Sequence, residues 1–425
     1  MSENKNKKRC DFCGKEYTED DKDVVLYRSK VPGEDGNRIR ICSNCLELGH
    51  KKYNERKAAL LEEDKENESV AIETPRDIKA YLDEWVIEQE RPKVVIATEL
   101  YAHKKRIKRI EENPEIAKEL RIDKSNIIFL GPTGTGKSET IRALCSCLDL
   151  PYTIQDASSF TASGYVGRDL DEIIKDLYIA ADRDIEKTQK GIVFLDEFDK
   201  IKANDARGDN KDVNGKAVQQ SILKMIEGCE MDVKLDRMSG KSVKIDTSNI
   251  LFILGGAFVG LEEIINKRLK KGNVGIGIMG KPESKDVIDY NETISQVIPD
   301  DLVKFGIIPE VIGRCPLLSV YSELSEDAMV KILTEPKHAL IKQYKEEFKM
   351  DGIEFEVEEG ALHLIAQRAK ARKMGARALR TVMEDILFET KFAVPGDKTV
   401  AKIIVRDDLT VDVIKKEGVK QQSAE

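Results

Sequence analysis

No apolar run in the chain approaches the ~18–20 residues that a membrane-spanning helix requires, so the sequence predicts no transmembrane segment. The N-terminus, MSENKNKKRC, lacks the apolar stretch of a secretory signal. An excess of basic charge is also missing: 35% of the 425 residues are charged, yet the net charge is −8. A chain so balanced has no bulk attraction to nucleic acid or to an anionic membrane surface. Neither an internal repeat nor a low-complexity tract occurs. These absences predict a cytoplasmic protein with no membrane and no nucleic-acid partner. A chain of this length is expected to hold roughly two to four domains.

Cysteine is sparse but patterned. Outside a secretory route the eight cysteines should be reduced, which favours metal binding over disulfides. Cys10-x₂-Cys13 and Cys42-x₂-Cys45 form two knuckles, and four thiolates on two tight turns suit tetrahedral Zn²⁺. The knuckles are separated by 28 residues, more than the ~15–20 of the usual pattern. The excess is placed at the hairpin-like Pro32-Gly33-Glu34-Asp35-Gly36. His50 is a rival ligand, though four cysteines already fill the shell; unligated cysteines are the plain alternative. With no open coordination position implied, the ion is expected to be structural, and so small a module should need its metal to fold. Cys145, Cys147, Cys229 and Cys315 show no ligand spacing and read as packing residues.

Residues 53–75 are mostly charged, end at Pro75 and read as a solvated linker. Beyond them, Ile127–Leu130, Ile192–Leu195 and Ile250–Leu254 are short continuous apolar runs, as expected of parallel strands buried on both faces. Helical patterns over Ser138–Leu148 and Leu170–Asp184 alternate with them, which predicts a doubly wound α/β domain. After Ser322 the pattern changes. A cap-like Ser325 opens a helix, and Glu358–Arg372 and Ala376–Val394 read as further helices. The expected division is therefore a zinc-binding domain at 1–52, a linker at 53–75, a large α/β domain at 76–320 and a small, mostly helical domain at 321–425.

Gly131-Pro132-Thr133-Gly134-Thr135-Gly136-Lys137-Ser138 fits the phosphate-loop pattern G-x-x-x-x-G-K-[ST]. It follows a predicted strand and precedes a predicted helix, the context that gives this motif its meaning. Glycines allow backbone N–H groups to curl around phosphate oxygens, and the helix N-terminus adds partial positive charge. Lys137 is expected at the β- and γ-phosphates of ATP, and the Ser138 hydroxyl on Mg²⁺. Glu139, the next residue, is grouped with the loop. A chance glycine loop is the bland alternative.

A second acidic element ends the next apolar run, at Leu195-Asp196-Glu197. Asp196 is expected to hold the water shell of Mg²⁺ and Glu197 to polarise the attacking water as general base. Alone, such a pair is more often a solvated strand end; the phosphate loop upstream reverses that preference.

Four further elements carry a resemblance: Leu195-Asp196-Glu197-Phe198-Asp199-Lys200-Ile201, Gly164-Tyr165-Val166-Gly167, Ile307-Ile308-Pro309-Glu310-Val311-Ile312-Gly313-Arg314 and Lys373-Met374-Gly375-Ala376-Arg377. In order and spacing the chain resembles the ClpX family of AAA+ unfoldases, which feed the ClpP peptidase. The resemblance runs from the cysteine pairs to the C-terminal domain. It implies an AAA+ P-loop fold with a zinc-ribbon-like N-terminal domain, assembled as a homohexamer. It further implies that Arg314 is an arginine finger completing a neighbour's ATP site, and that Arg377 lets the small domain touch the nucleotide. Val86 and Ile87 lie where the family cups the adenine, although Glu88 stands where a glycine is usual.

The same resemblance places Tyr165 and Val166 in a pore loop that grips an extended polypeptide; a turn with a half-buried tyrosine is the local alternative. Packing area is common to all peptides, so such a grip needs no sequence reading. Ala203–Lys216 resembles a second pore loop. Glu230–Lys241 occupies the place of a pore-entrance loop but lacks its Arg-Lys-His triplet. Ile276-Gly277-Ile278 stands at the peptidase-docking tip, with Ile278 replacing an aromatic ring. Implied partners are protein substrates, a ClpP-like peptidase, and adaptors bound through the zinc domain.

Three functions are weighed: an ATP-dependent unfoldase that threads substrates into a peptidase, a peptidase-independent remodeller using the same motor, and a nucleic-acid-binding ATPase. The acidic balance argues against the last, and the short basic cluster Lys104-Lys105-Arg106 reads as a solvated helix face.

Overall fold

The computed structural model describes residues 8–17, 24–28, 40–49, 51–52, 74–115, 119, 123–148, 150–160, 169–203, 212–235, 242–272 and 289–416. The chain divides into two compact units, Met1–Ile72 and Glu73–Glu425. Among the described residues no helix is long and apolar enough to cross a membrane.

The first unit is two short antiparallel ribbons. Strand β1 (Lys8–Arg9) pairs with β2 (Glu16–Tyr17), and β3 (Leu26–Arg28) pairs with β4 (Arg40–Cys42). A helix over 43–49 follows β4. Cys10 and Cys13 thus lie at the turn between β1 and β2, whereas Cys42 ends β4 and Cys45 sits in the helix after it.

The second unit opens with the helix Pro75–Asp83. Thr74 caps it, accepting from the Asp77 N–H while the Asp77 carboxylate accepts from the Thr74 N–H. This reciprocal box satisfies two donors that a helix start otherwise leaves orphaned. Pro75, the expected end of the linker, is thus the first helical residue, where its fixed φ costs nothing. The helix Glu90–Glu112 then leads to a five-stranded parallel sheet. Its strands are β5 (Ile127–Leu130), β6 (Tyr152–Asp156), β7 (Ile192–Asp196), β10 (Leu251–Gly256) and β11 (Leu317–Val320), in the order β11-β5-β10-β7-β6. Strands β8 (Glu230–Lys234) and β9 (Ser242–Asp246) form a separate antiparallel hairpin.

The three central strands are those read as continuous apolar runs, and nearly every residue in them is buried. The third begins one residue later than expected because Ile250 closes a turn onto Thr247 O. It also runs on through Gly255 and Gly256. The edge strands β6 and β11 are shorter on buried apolar residues and carry no clear strand pattern in the sequence. The helix expected over Leu170–Asp184 is Asp171–Ala180; Asp182 and Arg183 take left-handed φ of 56° and 63°, which ends it.

A second core belongs to the C-terminal domain. Helices Glu326–Thr334, Leu340–Met350, Glu359–Ala371 and Arg377–Ala393 enclose it. Ser325 Oγ accepts from the Ala328 N–H at 3.0 Å, the expected cap. The domain is not helical alone. Strand β12 (Glu354–Val357) runs parallel to β13 (Val400–Val405), which pairs antiparallel with β14 (Val411–Lys415). Sequence reasoning misses this sheet because its strands are short and show no clear period: β12 has four residues and β14 buries none of its five.

The two cores are stitched together by side chains as well as by the chain itself. Gln89 Nε2 donates to Ser322 O at 2.9 Å, and the Ser322 N–H donates to Gln89 Oε1 at 2.9 Å. The clamp holds the segment between the cores against the start of the helix Glu90–Glu112.

Candidate nucleotide site and cysteine cluster

Strand β5 delivers the phosphate loop. Gly131 has φ 145°, and a Cβ there would stand 2.4 Å from Tyr321 O. Gly134 has φ 78°, and a Cβ there would stand 2.3 Å from Met374 O. Both positions demand glycine twice over, by conformation and by space. The Gly134 carbonyl accepts from the Ala376 N–H at 3.0 Å, so the loop's apex is bonded directly to the C-terminal domain.

Thr135 Oγ1 donates to Pro132 O at 2.9 Å. Lys137 Nζ folds back onto the carbonyls of Gly131 and Pro132, at 2.6 and 2.8 Å. Burial pushes its ammonium down to about 8; Asp196 and Asp199 partly counter this, and Arg377 adds to it. An arriving phosphate would add counter-charge and raise the pKa of this ammonium again.

Ser138 Oγ donates to Asp196 Oδ2 at 2.9 Å, and the Glu197 N–H donates to Asp196 Oδ1 at 2.9 Å. Glu197 itself holds a left-handed φ of 55°, a strained conformation for a residue with a side chain, worth on the order of 1–3 kcal/mol. The strain turns its exposed carboxylate into the cleft beside Asp196. Asp199 is a site residue that sequence reasoning does not single out. It is buried, accepts from the N–H groups of Ala257 and Phe258 at 3.3 and 3.2 Å, and so ties the end of β7 to the end of β10. Its signal is present in the chain: it is the third acid after a buried strand.

These groups line a cleft of about 570 Å³ between the two cores. Thr133 through Glu139, Asp196, Glu197 and Arg377 border it, with Val86 and Ile87. Glu88 and Gln89 both adopt left-handed φ, 56° and 57°. The bend is thus one that favours glycine, and Glu88 adopts it at a cost in backbone strain. Ser325 Oγ donates to Glu88 Oε1 at 3.1 Å, which with the Gln89 clamp holds the bend. Trp85 and His338 also border the cleft. Neither carries a local sequence signal, since their proximity depends on how two distant segments fold together.

Arg314 is not brought to this cleft. It is half-exposed at the end of the helix Pro309–Arg314, and its Nε donates to Glu227 Oε1 at 3.0 Å. The expected pore residues Tyr165 and Val166 and the docking residues Ile276, Gly277 and Ile278 lie outside the described residues, as does most of Ala203–Lys216. Of the stretch Glu230–Lys241, the first part is strand β8, so this feature is an arm of a hairpin whose tip lies outside the described residues.

In the first unit the sulfur atoms of Cys10, Cys13, Cys42 and Cys45 all lie within 4.8 Å of one another. Cys13 Sγ and Cys42 Sγ are 3.9 Å apart. Tetrahedral Zn²⁺ with Zn–S near 2.3 Å requires sulfur separations of about 3.8 Å, so the donor set fits. Burial works to raise the Cys10 thiol. The N–H groups of Cys13, Cys42 and Phe12 outweigh it and hold the thiol down at about 6, poised as a thiolate ligand. The rival His50 lies outside the described residues.

A parallel sheet ordered in this way, a phosphate loop after β5, paired acids ending β7 and a C-terminal domain bonded to the loop's apex define a AAA+ ATPase. Residues 122–318 match the model of the AAA domain (Cdc48 subfamily), and residues 324–391 match the C-terminal, D2-small domain of ClpB protein. The chain is 39% identical to the ATP-dependent Clp protease ATP-binding subunit ClpX of Azotobacter vinelandii, over 91% of this chain and 86% of that one. It is 38% identical to the subunit of the same name from Treponema denticola, over 97% and 96%. The chain belongs to the ClpX family.

Proposed function

We propose that the chain is the specificity subunit of a ClpXP-type protease: an ATP-driven unfoldase that, as a homohexamer, threads protein substrates through a central pore. The observation that carries this is the bond between Gly134 O and the Ala376 N–H. It joins the phosphate loop to the C-terminal domain one residue before Arg377, so a change at the γ-phosphate is transmitted to the angle between the cores.

Within that reading, Lys137 neutralises the β- and γ-phosphates and Glu197 takes a proton from the attacking water. Mg²⁺, held by Ser138 and Asp196, would supply charge neutralisation on the phosphate oxygens. Arg314, remote from the cleft of its own chain, serves the site of a neighbour, and Arg377 reports nucleotide state to its own C-terminal domain. Tyr165 and Val166 grip the substrate. The four cysteines hold a structural Zn²⁺, and their domain receives substrates and adaptors. The working division is 1–52, 53–75, 76–320 and 321–425, and the place of action is the cytoplasm.

The deciding experiment is ATP-dependent degradation of a stable tagged protein with and without a ClpP-like peptidase. Degradation only with both ATP and peptidase supports the proposal. A second reading, a remodeller working without a peptidase, is favoured by Ile278, which offers a docking cleft less contact area than an aromatic ring. Failure to pull down a ClpP-like peptidase while unfolding persists would select it. Salt-dependent DNA binding would instead revive the nucleic-acid reading, against the net charge of −8.

A further inference from the structure

The phosphate loop supplies much of the polar lining of the cleft. The apolar part, lined by Val86, Ile87 and Leu340, suits a planar base. His338 lines the same cleft, from the connector between the helices Glu326–Thr334 and Leu340–Met350. Its ring stacks on Trp85 with centroids 5.3 Å apart and planes inclined by 21°. Its Nε2 lies 3.6 Å from Glu139 Oε1, and Glu139 sits in the first turn of the phosphate-loop helix, with Arg142 on its other oxygen at 3.3 Å. One imidazole thus touches both Trp85 and the helix that binds phosphate, and it comes from the C-terminal domain.

The connector is anchored to the same wall. The Lys337 N–H donates to Glu84 O at 3.0 Å, and Gln343 Nε2 donates to His338 O at 2.6 Å. The backbone of His338 is therefore fixed. Among the described residues its side chain meets the Trp85 ring and the Glu139 carboxylate, and its buried Nδ1 has no hydrogen-bond partner.

We propose that His338 is a positioning residue for ATP hydrolysis: by bridging Trp85 and Glu139 it sets how tightly the apolar part of the cleft closes on the nucleotide. The proposal rests on placing the base beside Trp85. It predicts an effect on nucleotide affinity rather than on the chemical step, because the ring of His338 is engaged with Trp85 and Glu139 and not with Glu197 or the Ser138–Asp196 pair.

The test uses the full chain. Trp85 is its one tryptophan, so intrinsic fluorescence reports on this wall without a label. In the wild type, ATP should change Trp85 emission. His338→Ala should raise the KM for ATP about tenfold and change kcat less than about twofold, the signature of lost uniform binding. His338→Phe keeps a stacked ring but loses the contact with Glu139. It should recover most of that affinity, leaving a deficit of about threefold, and Glu139→Gln should match it. An unchanged KM in His338→Ala overturns the proposal. So does a proportional loss of kcat in the Ala and Phe variants with a shared fall in Tm, which would mark a structural role. If the wild type hydrolyses ATP and its Trp85 emission does not respond, the placement of the base fails instead, and His338 falls with it.

Discussion

Ser138 Oγ donates to Asp196 Oδ2 at 2.9 Å, joining the helix that follows one central strand to the end of another. The two residues are far apart in sequence and adjacent because β10 alone separates β5 from β7 in the sheet. An oxygen pair so placed, beside a glycine loop and an ammonium, is suited to a hard divalent cation. Replacing Asp196 with Asn should therefore weaken Mg²⁺-dependent ATP hydrolysis by about 100-fold while leaving Tm within a few degrees, measured by steady-state turnover across a Mg²⁺ titration. Undiminished turnover at low Mg²⁺ would remove Asp196 from the metal site.

Glu197 is exposed, so its substitution should not disturb packing. Glu197→Gln keeps size and polarity and removes the base. ATP should still bind, and turnover should fall by about 100-fold or more. Equilibrium binding of a fluorescent ATP analogue alongside phosphate release separates the two effects, and normal phosphate release would dismiss the base role.

Tyr165→Ala should preserve most ATPase activity and slow the unfolding of a stable tagged protein. Unfolding at the wild-type rate would show that the Gly164–Gly167 segment is not the gripping loop.

His103 offers a pH prediction independent of catalysis. It is buried, and burial first, then the Arg106 and Lys124 charges, push its pKa from 6.5 down to about 3, against an opposing backbone contact from Lys190. The folded state therefore keeps it neutral while the unfolded chain takes up a proton below about 6.5. Its contribution to stability is complete above that pH and declines as the pH falls toward 3. Between pH 7 and pH 5 the loss should be about 2 kcal/mol. His103→Leu should flatten this acid limb in urea melts; an unchanged slope would mean that His103 is not the group responsible.

Chelating zinc should act on one unit only. The cysteine cluster lies in the first unit, whereas the ATP cleft is built from cores wholly within the second. A strong chelator should release about one Zn²⁺ per chain and open the first unit to protease, with basal ATPase retained. Loss of ATPase in step with zinc release would contradict this independence.

The local parts of the molecule are written directly in its residues. A phosphate loop, a buried strand ending in two acids and a cysteine knuckle each need particular residues within a few positions, because backbone geometry and ligand chemistry act over that range. Hence Ile127–Leu130, Lys137, Ser138, Asp196 and the four cysteines are legible from short stretches of chain. Resemblance extends this to the family.

Features that depend on distant segments meeting take their form from the packed chain. The edge strands β6 and β11 and the mixed sheet β12-β13-β14 owe their form to neighbours that complete their hydrogen bonds, not to a strong pattern of their own. The left-handed Glu88 and Gln89 show a bend held by Ser322 and Ser325, contacts more than two hundred residues away in the chain. The stack of Trp85 on His338 belongs to the same class. The ATP cleft is readable as chemistry from one short motif. That its other wall comes from a second core, bonded to the loop at Gly134, follows only from how the two cores pack.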